Sequence, residues 1–242
     1  MNKPILILRN VPRENPGLIE ILLKEHNIEY QIIDFESSTV IDSIEKYSAL
    51  IVLGGPDSAN DLTPKMQNEL TLIRNAIQLQ IPYLGICLGL QTLVKAMGGS
   101  VEKCQANEIG FRDPKNNFFK IKLTSKGRKD KLFKNLPNYL TVFQLHGETV
   151  KLTPLMSLLA TGDFYNNQIV KIGETAYGIQ SHFELTFDLL ESWITEDSDL
   201  LKLNAEQIRS DFKTIKSDYQ NTGRQLFFNF LTIIGLIKTT NA

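Results

Sequence analysis

The sequence predicts an α/β fold: an open, mostly parallel sheet with helices on both faces, followed by a helical carboxyl-terminal extension. Two observations carry this. Short apolar runs alternate with helix-period segments through the first hundred residues, the pattern of a parallel sheet covered by helices. The run Ala49 to Leu53 is continuously apolar and is followed at once by Gly54-Gly55-Pro56, as expected of a strand buried on both faces that ends in a tight loop. With 242 residues and 42% hydrophobic content, one substantial core is expected. Its expected organisation is a domain over 1–184 and a helical extension over 185–242 packed on the same domain.

Ile5 to Leu8 reads as the first strand. Gly17 to Glu25 reads as a helix with Leu18, Ile21 and Leu22 on one face, and Tyr30 to Asp34 as the second strand. After Ala49–Leu53, Met66 to Gln80 carries Leu70, Ile73 and Ile77 at helical spacing, and Pro82 to Ile86 is a short strand feeding the helix Leu88 to Met97. Between Val101 and Gln180 the strand signals are shorter, at Phe118–Leu123, Leu140–Phe143 and Tyr177–Gln180, and suggest a mixed-sheet portion. After His182 three helices are expected, at Phe187–Ile194, Ala205–Ile215 and Gln225–Ile237. They either cap the sheet or make a homodimer contact, with capping the expectation.

Composition excludes several function classes. The 26 basic and 27 acidic residues leave a formal net charge of -1, so nothing global attracts nucleic acid or an anionic membrane. The first apolar run is too short for a signal peptide, and Leu226 to Ile237, interrupted by Asn229, Thr232 and Gly235, is too short to span a bilayer. The two cysteines, Cys87 and Cys104, cannot build a disulfide framework and suit a reducing compartment, so the cytoplasm is the expected location. Three scattered histidines and two separated cysteines offer no metal-ligand spacing, and neither metal nor cofactor is expected.

The sharpest local feature is Pro82-Tyr83-Leu84-Gly85-Ile86-Cys87-Leu88-Gly89-Leu90-Gln91, a strand entering a helix through a turn with glycines on both sides of a cysteine. This is a nucleophile-elbow pattern, in which bulky flanking side chains would obstruct the crowded turn. The helix dipole and a neighbouring histidine favour the thiolate of a cysteine at this position. An isolated intracellular cysteine is otherwise a small buried hydrophobe; the flanking glycines argue against that for Cys87, whereas Cys104 lacks an elbow and reads as structural. Gln91, four residues on, shares the face of Cys87 one helical turn along.

These residues resemble the class I glutamine amidotransferases. Gly85-Ile86-Cys87-Leu88-Gly89-Leu90-Gln91 matches the family's nucleophile motif, Gly54-Gly55-Pro56 its earlier loop, and His182 with Glu184 its later histidine and glutamate, in the family's order. Asn107–Phe111, Phe143–Thr149 and Ala176–His182 are similar to the standalone relatives of the GMP synthase glutaminase domain, which also carry a helical extension. The resemblance implies the flavodoxin-like fold of that family. It also implies hydrolysis of a γ-glutamyl amide, either glutamine or a γ-glutamyl peptide or amine, through a cysteine thioester. Cys87 would be the nucleophile, His182 the base and Glu184 its orienting carboxylate, with the amides of Gly55 and Leu88 as oxyanion donors and Gln91 and His146 as substrate contacts.

His146, in the polar run Gln144-Leu145-His146-Gly147-Glu148, is the rival for the base, and His182 is preferred because Glu184 accompanies it. Where the family commonly has Phe-His-Pro-Glu, this chain has Ser181-His182-Phe183-Glu184. The missing proline frees a backbone donor and loosens the restriction on His182, which motivates the alternative of an inactive regulatory or binding protein on the same scaffold. No phosphate-binding glycine loop is present, so an ammonia acceptor would be activated by a separate synthetase subunit.

Overall fold

In the computed structural model, which describes residues 3–36, 39 and 41–238, strands built on buried apolar runs such as Ile5–Leu8 and Ala49–Val52 organise the chain. In order they and their helices are β1 (Ile5–Arg9), α1 (Leu18–Glu25), β2 (Tyr30–Asp34), β3 (Ala49–Val52), α2 (Pro64–Gln78), β4 (Tyr83–Ile86) and α3 (Leu88–Ala96). There follow β5 (Ser100–Gly110), β6 (Lys120–Leu123), β7 (Tyr139–Thr141), β8 (Gln144–Lys151), β9 (Met156–Gly162), β10 (Ile169–Ile172) and β11 (Ala176–Ile179), then α4 (Phe187–Glu196) and α5 (Ala205–Ile233).

The nine-stranded sheet runs β2-β1-β3-β4-β11-β10-β9-β6-β7. Its first five strands are mutually parallel, and β10, β9, β6 and β7 extend it antiparallel. Because successive strand side chains alternate between faces, β1 sends Ile5 and Ile7 into one core, packed with Leu18, Leu22, Phe227 and Phe230 from α1 and α5, and Leu6 and Leu8 into the other, packed with Met66, Ile73, Leu90 and Leu93 from α2 and α3. Helices therefore cover both faces. A separate antiparallel ribbon, β5 with β8, stands beside the carboxyl-terminal end of β4 and contacts α3.

Local chemistry sets the helix ends. Thr63 caps α2 through the Met66 amide with Pro64 in the first turn, Thr186 caps α4 through Leu189, and Asn204 caps α5 through Gln207. The helices expected separately at Ala205–Ile215 and Gln225–Ile237 are one helix of 29 residues. The polar, glycine-containing stretch between them reads as a break, but Tyr219 and Gly223 are buried. A Cβ on Gly223 would overlap the Phe183 carbonyl, so tertiary packing selects glycine there and offsets its low helix propensity. The long ribbon strands β5 and β8 also exceed the sequence expectation, because their exposed polar residues hide the strand period.

Candidate active site

The β4–α3 junction holds Cys87 at the helix N-cap with φ 52° and ψ −103°, a left-handed conformation costly for a residue with a side chain. Its amide donates to the Ile179 carbonyl at 2.7 Å, tying the turn to β11. A Cβ on Gly85 would overlap the Gly89 carbonyl, and one on Gly89 would overlap the Val52 carbonyl; strand, turn and neighbouring strand thus touch backbone to backbone. That close approach explains the flanking glycines.

Cys87 lines a cavity of about 470 Å³ together with Gly55, Gln91, His146, Glu148 and His182. Its sulfur lies 3.6 Å from the Leu145 carbonyl and 3.6 Å from the Gln180 amide nitrogen. His182, held through its own amide to the Phe143 carbonyl at 2.9 Å, donates from Nδ1 to Glu184 Oε1 at 2.6 Å. Its ring packs edge-on against Trp193 with centroids 4.8 Å apart, and its Nε2 is buried without a hydrogen-bond partner among the described residues. Burial alone would lower the His182 pKa, but the charge of Glu184, the Cys87 sulfur and the Glu184 hydrogen bond outweigh it and hold the imidazole well above 6.5.

Phe183 reverses one expectation. The amide freed by the absence of proline donates to Glu184 Oε2 at 2.9 Å, and the ring is fully buried and stacked on Tyr219. Tyr219 in turn donates from its hydroxyl to the His182 carbonyl at 2.8 Å. The segment is restrained by packing and hydrogen bonds where loosening was expected.

Gly55 packs against the Leu88 side chain, which brings the loop after β3 onto the first turn of α3. The Gln91 amide nitrogen donates to the Glu148 carbonyl at 3.1 Å and the Gln180 side-chain oxygen at 3.3 Å, so Gln91 braces the cavity wall. His146 is also engaged internally: Nε2 lies 2.9 Å from Glu108 Oε2 and Nδ1 3.1 Å from the Glu148 carbonyl. Cys104 is half-buried, its sulfur 3.8 Å from His146 Nδ1, and burial pushes its thiol up to about 11.

Several cavity residues were missed, among them Arg13, Glu14, Asp197 and Asp199. Glu14, in the loop after β1, is buried beside His182 and its carboxyl is pushed up to about 7 by burial, with His182 acting against and Glu184 with that shift. Ligand atoms of Glu14, His182 and Glu184 lie within 4.8 Å of one another, a spacing that could suit a cation. Both Glu184 oxygens, however, already accept hydrogen bonds from His182 and Phe183.

A sheet with five parallel strands, one of whose interior strands, β4, ends in a strained cysteine elbow facing a buried histidine–carboxylate pair, places the chain among α/β proteins with a cysteine-centred site. The sequence matches the class-I glutamine amidotransferase family over residues 18–198, and the chain belongs to that family. It is 30% identical to the glutamine amidotransferase-like protein YfeJ of Salmonella typhimurium, over 62% of each chain. It is 32% identical over 70% of its length to the GMP synthase of Thermosipho melanesiensis, of which it spans 31%. A glutamine amidotransferase from Thermotoga maritima superposes with a TM-score of 0.85 at 27% identity, covering 97% of this chain and 99% of that one. Among the described residues no helix is long and apolar enough to cross a membrane.

Proposed function

We propose that this chain hydrolyses the γ-amide of glutamine or of a γ-glutamyl peptide or amine through a thioester on Cys87. The observation that carries this reading is the strained elbow of Cys87 sharing one cavity with a His182 whose Nδ1 is locked to Glu184 at 2.6 Å. The Cys87 sulfur attacks the γ-carbonyl carbon, its proton residing on His182, and the amides of Gly55 and Leu88 receive the oxyanion. The C–N bond breaks as His182 gives its proton to the leaving nitrogen, so the amine departs neutral or, with a further proton, as ammonium. Water then attacks the thioester with His182 accepting its proton, releasing glutamate and restoring the thiol. Glu184 keeps the imidazole in the orientation both steps need.

Gln91 and His146 hold the glutamyl end indirectly, by fixing the Glu148 strand that walls the cavity. The rival reading, a non-catalytic scaffold protein, draws on the Phe183 departure, and the Phe183 amide bonded to Glu184 weighs against it. Residues 185–238 form a helical extension of the same domain in this reading, the expected remainder 239–242 lying outside the described residues, and the site lies in the cytoplasm. The decisive experiment measures release of glutamate and of ammonia or amine from glutamine, γ-glutamyl peptides and γ-glutamyl amines, with Cys87→Ala as blank. Turnover of one class with a silent blank supports the reading; equal rates in both proteins refute it. Ammonia release that rises only with an added synthetase subunit would assign the chain to a two-subunit amidotransferase.

A further inference from the structure

Two walls of the cavity differ in chemistry. On one, Leu145, His146, Gly147 and Glu148 of β8 stand beside Cys87, whose sulfur is 3.6 Å from the Leu145 carbonyl. On the other, the loop after β1 contributes Arg13 and Glu14, and the turn after α4 contributes Asp197 and Asp199. His182 belongs to this second side, since its ring nitrogen falls within 4.8 Å of a Glu14 oxygen.

The second wall carries an uncompensated carboxyl. Arg13 pairs with Asp197 at 2.8 Å, and the other Asp197 oxygen accepts the amides of Asp199 and Leu200. Asp199 pairs with Lys202 at 2.6 Å. Glu14 is only 4% exposed, yet its carboxyl has no hydrogen-bond or ion-pair partner among the described residues. Gly54 leaves it room: a Cβ there would sit 3.1 Å from Glu14 Oε2 and 3.3 Å from His182 Cε1. A buried carboxyl with no partner in the protein, facing a cavity, calls for a partner from the ligand.

The reaction fixes which part of the ligand that is. The leaving nitrogen must reach His182 to collect its proton, so any substituent on that nitrogen extends along the His182 side, past Glu14 and toward Asp197 and Asp199. We propose that Glu14, supported by Asp197 and Asp199, forms a leaving-group subsite for γ-glutamyl amides of amines that carry a second, positively charged nitrogen. This rests on the hydrolase reading above. The neighbouring charges agree with it: once His182 has surrendered its proton, Glu14 and Glu184 lose the positive charge beside them, and a cationic amine replaces it. Arg13 faces Glu14 as well but stays paired with Asp197. An amine ending in a carboxylate would instead meet the Glu14 carboxyl, the one acid of this wall not already paired, since Asp197 is held by Arg13 and Asp199 by Lys202.

The test uses the intact protein and its single tryptophan, Trp193, whose ring touches His182. Titration with 1,4-diaminobutane should give a saturable change in Trp193 fluorescence, and succinate, of similar length and opposite charge, should give none. Glu14→Gln should weaken diamine binding by about tenfold or more, Asp199→Asn by less, and wild-type binding should weaken as pH falls through about 7, where Glu14 takes up its proton. In parallel, the ratio of kcat/KM for the γ-glutamyl amide of 1,4-diaminobutane to that for γ-glutamylglycine should exceed about ten in the wild type and fall toward unity in Glu14→Gln. A diamine affinity unchanged by Glu14→Gln, or succinate binding more tightly than the diamine, overturns the proposal. Diamine binding by a protein that hydrolyses no γ-glutamyl compound would overturn the hydrolase reading and leave the cationic subsite standing.

Discussion

Phe183 offers the sharpest separation of packing from chemistry, because its ring and its amide do different things. The ring is fully buried against Tyr219, and the amide donates to Glu184 Oε2 at 2.9 Å. Phe183→Ala removes the ring and keeps the amide, whereas Phe183→Pro removes both. His182 is in an extended bridge with Phe143, the conformation favoured by a residue that precedes proline. Loss of a buried phenylalanine ring costs about 3–5 kcal/mol, or roughly 6–20 °C in Tm at about 2–4 °C per kcal/mol for a chain of this size. Both variants should share that loss. A hydrogen bond to a charged group contributes about 1.5–3 kcal/mol, so Phe183→Pro should lose a further factor of roughly 10–150 in kcat/KM relative to Phe183→Ala. The assay is glutamate release at a temperature where circular dichroism shows both variants folded. Equal kcat/KM in the two would show that the amide does nothing for Glu184.

Other positions give independent outcomes. Glu69 on α2 is fully buried, neither of its oxygens has a hydrogen-bond partner, and burial raises its carboxyl from 4.5 to about 7. The folded state therefore holds this proton more tightly than the unfolded chain. Its contribution to stability is complete below pH 4.5 and is lost as pH rises to about 7. Denaturant titrations should show Glu69→Gln flatter than wild type across that window and up to about 3 kcal/mol more stable at pH 8, and parallel curves would refute the buried acid. Gly85→Ala drives a Cβ into the Gly89 carbonyl, backbone that cannot yield, so the variant should lose several kcal/mol of stability, and a wild-type Tm would contradict the close packing of the elbow. Tyr219→Phe removes the hydroxyl bonded to the His182 carbonyl at 2.8 Å and should cost about 1 kcal/mol in stability with a measurable drop in kcat; a drop in neither would leave that bond without effect.

Legibility in the sequence followed the range of the interactions. Cys87, its glycines and the Gly54-Gly55-Pro56 loop could be read because strand, turn and helix are local and each glycine answers to a steric demand within a few residues or at one neighbouring strand. The strand β3 was legible for the same reason, as an uninterrupted apolar run. Glu14 was not: it is one acid in a polar loop, and its place beside His182 depends on the parallel order β1-β3-β4-β11, a pairing of segments more than a hundred and sixty residues apart in the chain. Glu108 was equally hidden, although it falls in the Asn107–Phe111 segment whose family likeness could have flagged it. The continuous α5 escaped because its middle turns meet partners, Phe183 above all, that no local pattern names.

The helices after Glu184 are therefore better understood as part of the site than as an appendage to it. Trp193 of α4 lies edge-on to the His182 ring and donates its indole N–H to the Arg13 carbonyl at 3.0 Å. Asp197, just beyond α4, holds Arg13, and Tyr219 of α5 holds the His182 carbonyl. Leu18, opening α1, donates its amide to the Glu184 carbonyl at 2.9 Å. The imidazole and its carboxylate thus hang between the sheet on one side and α1, α4 and α5 on the other. Both sides fix the direction of His182, as the proposed base, serving first the leaving nitrogen and then water, would require.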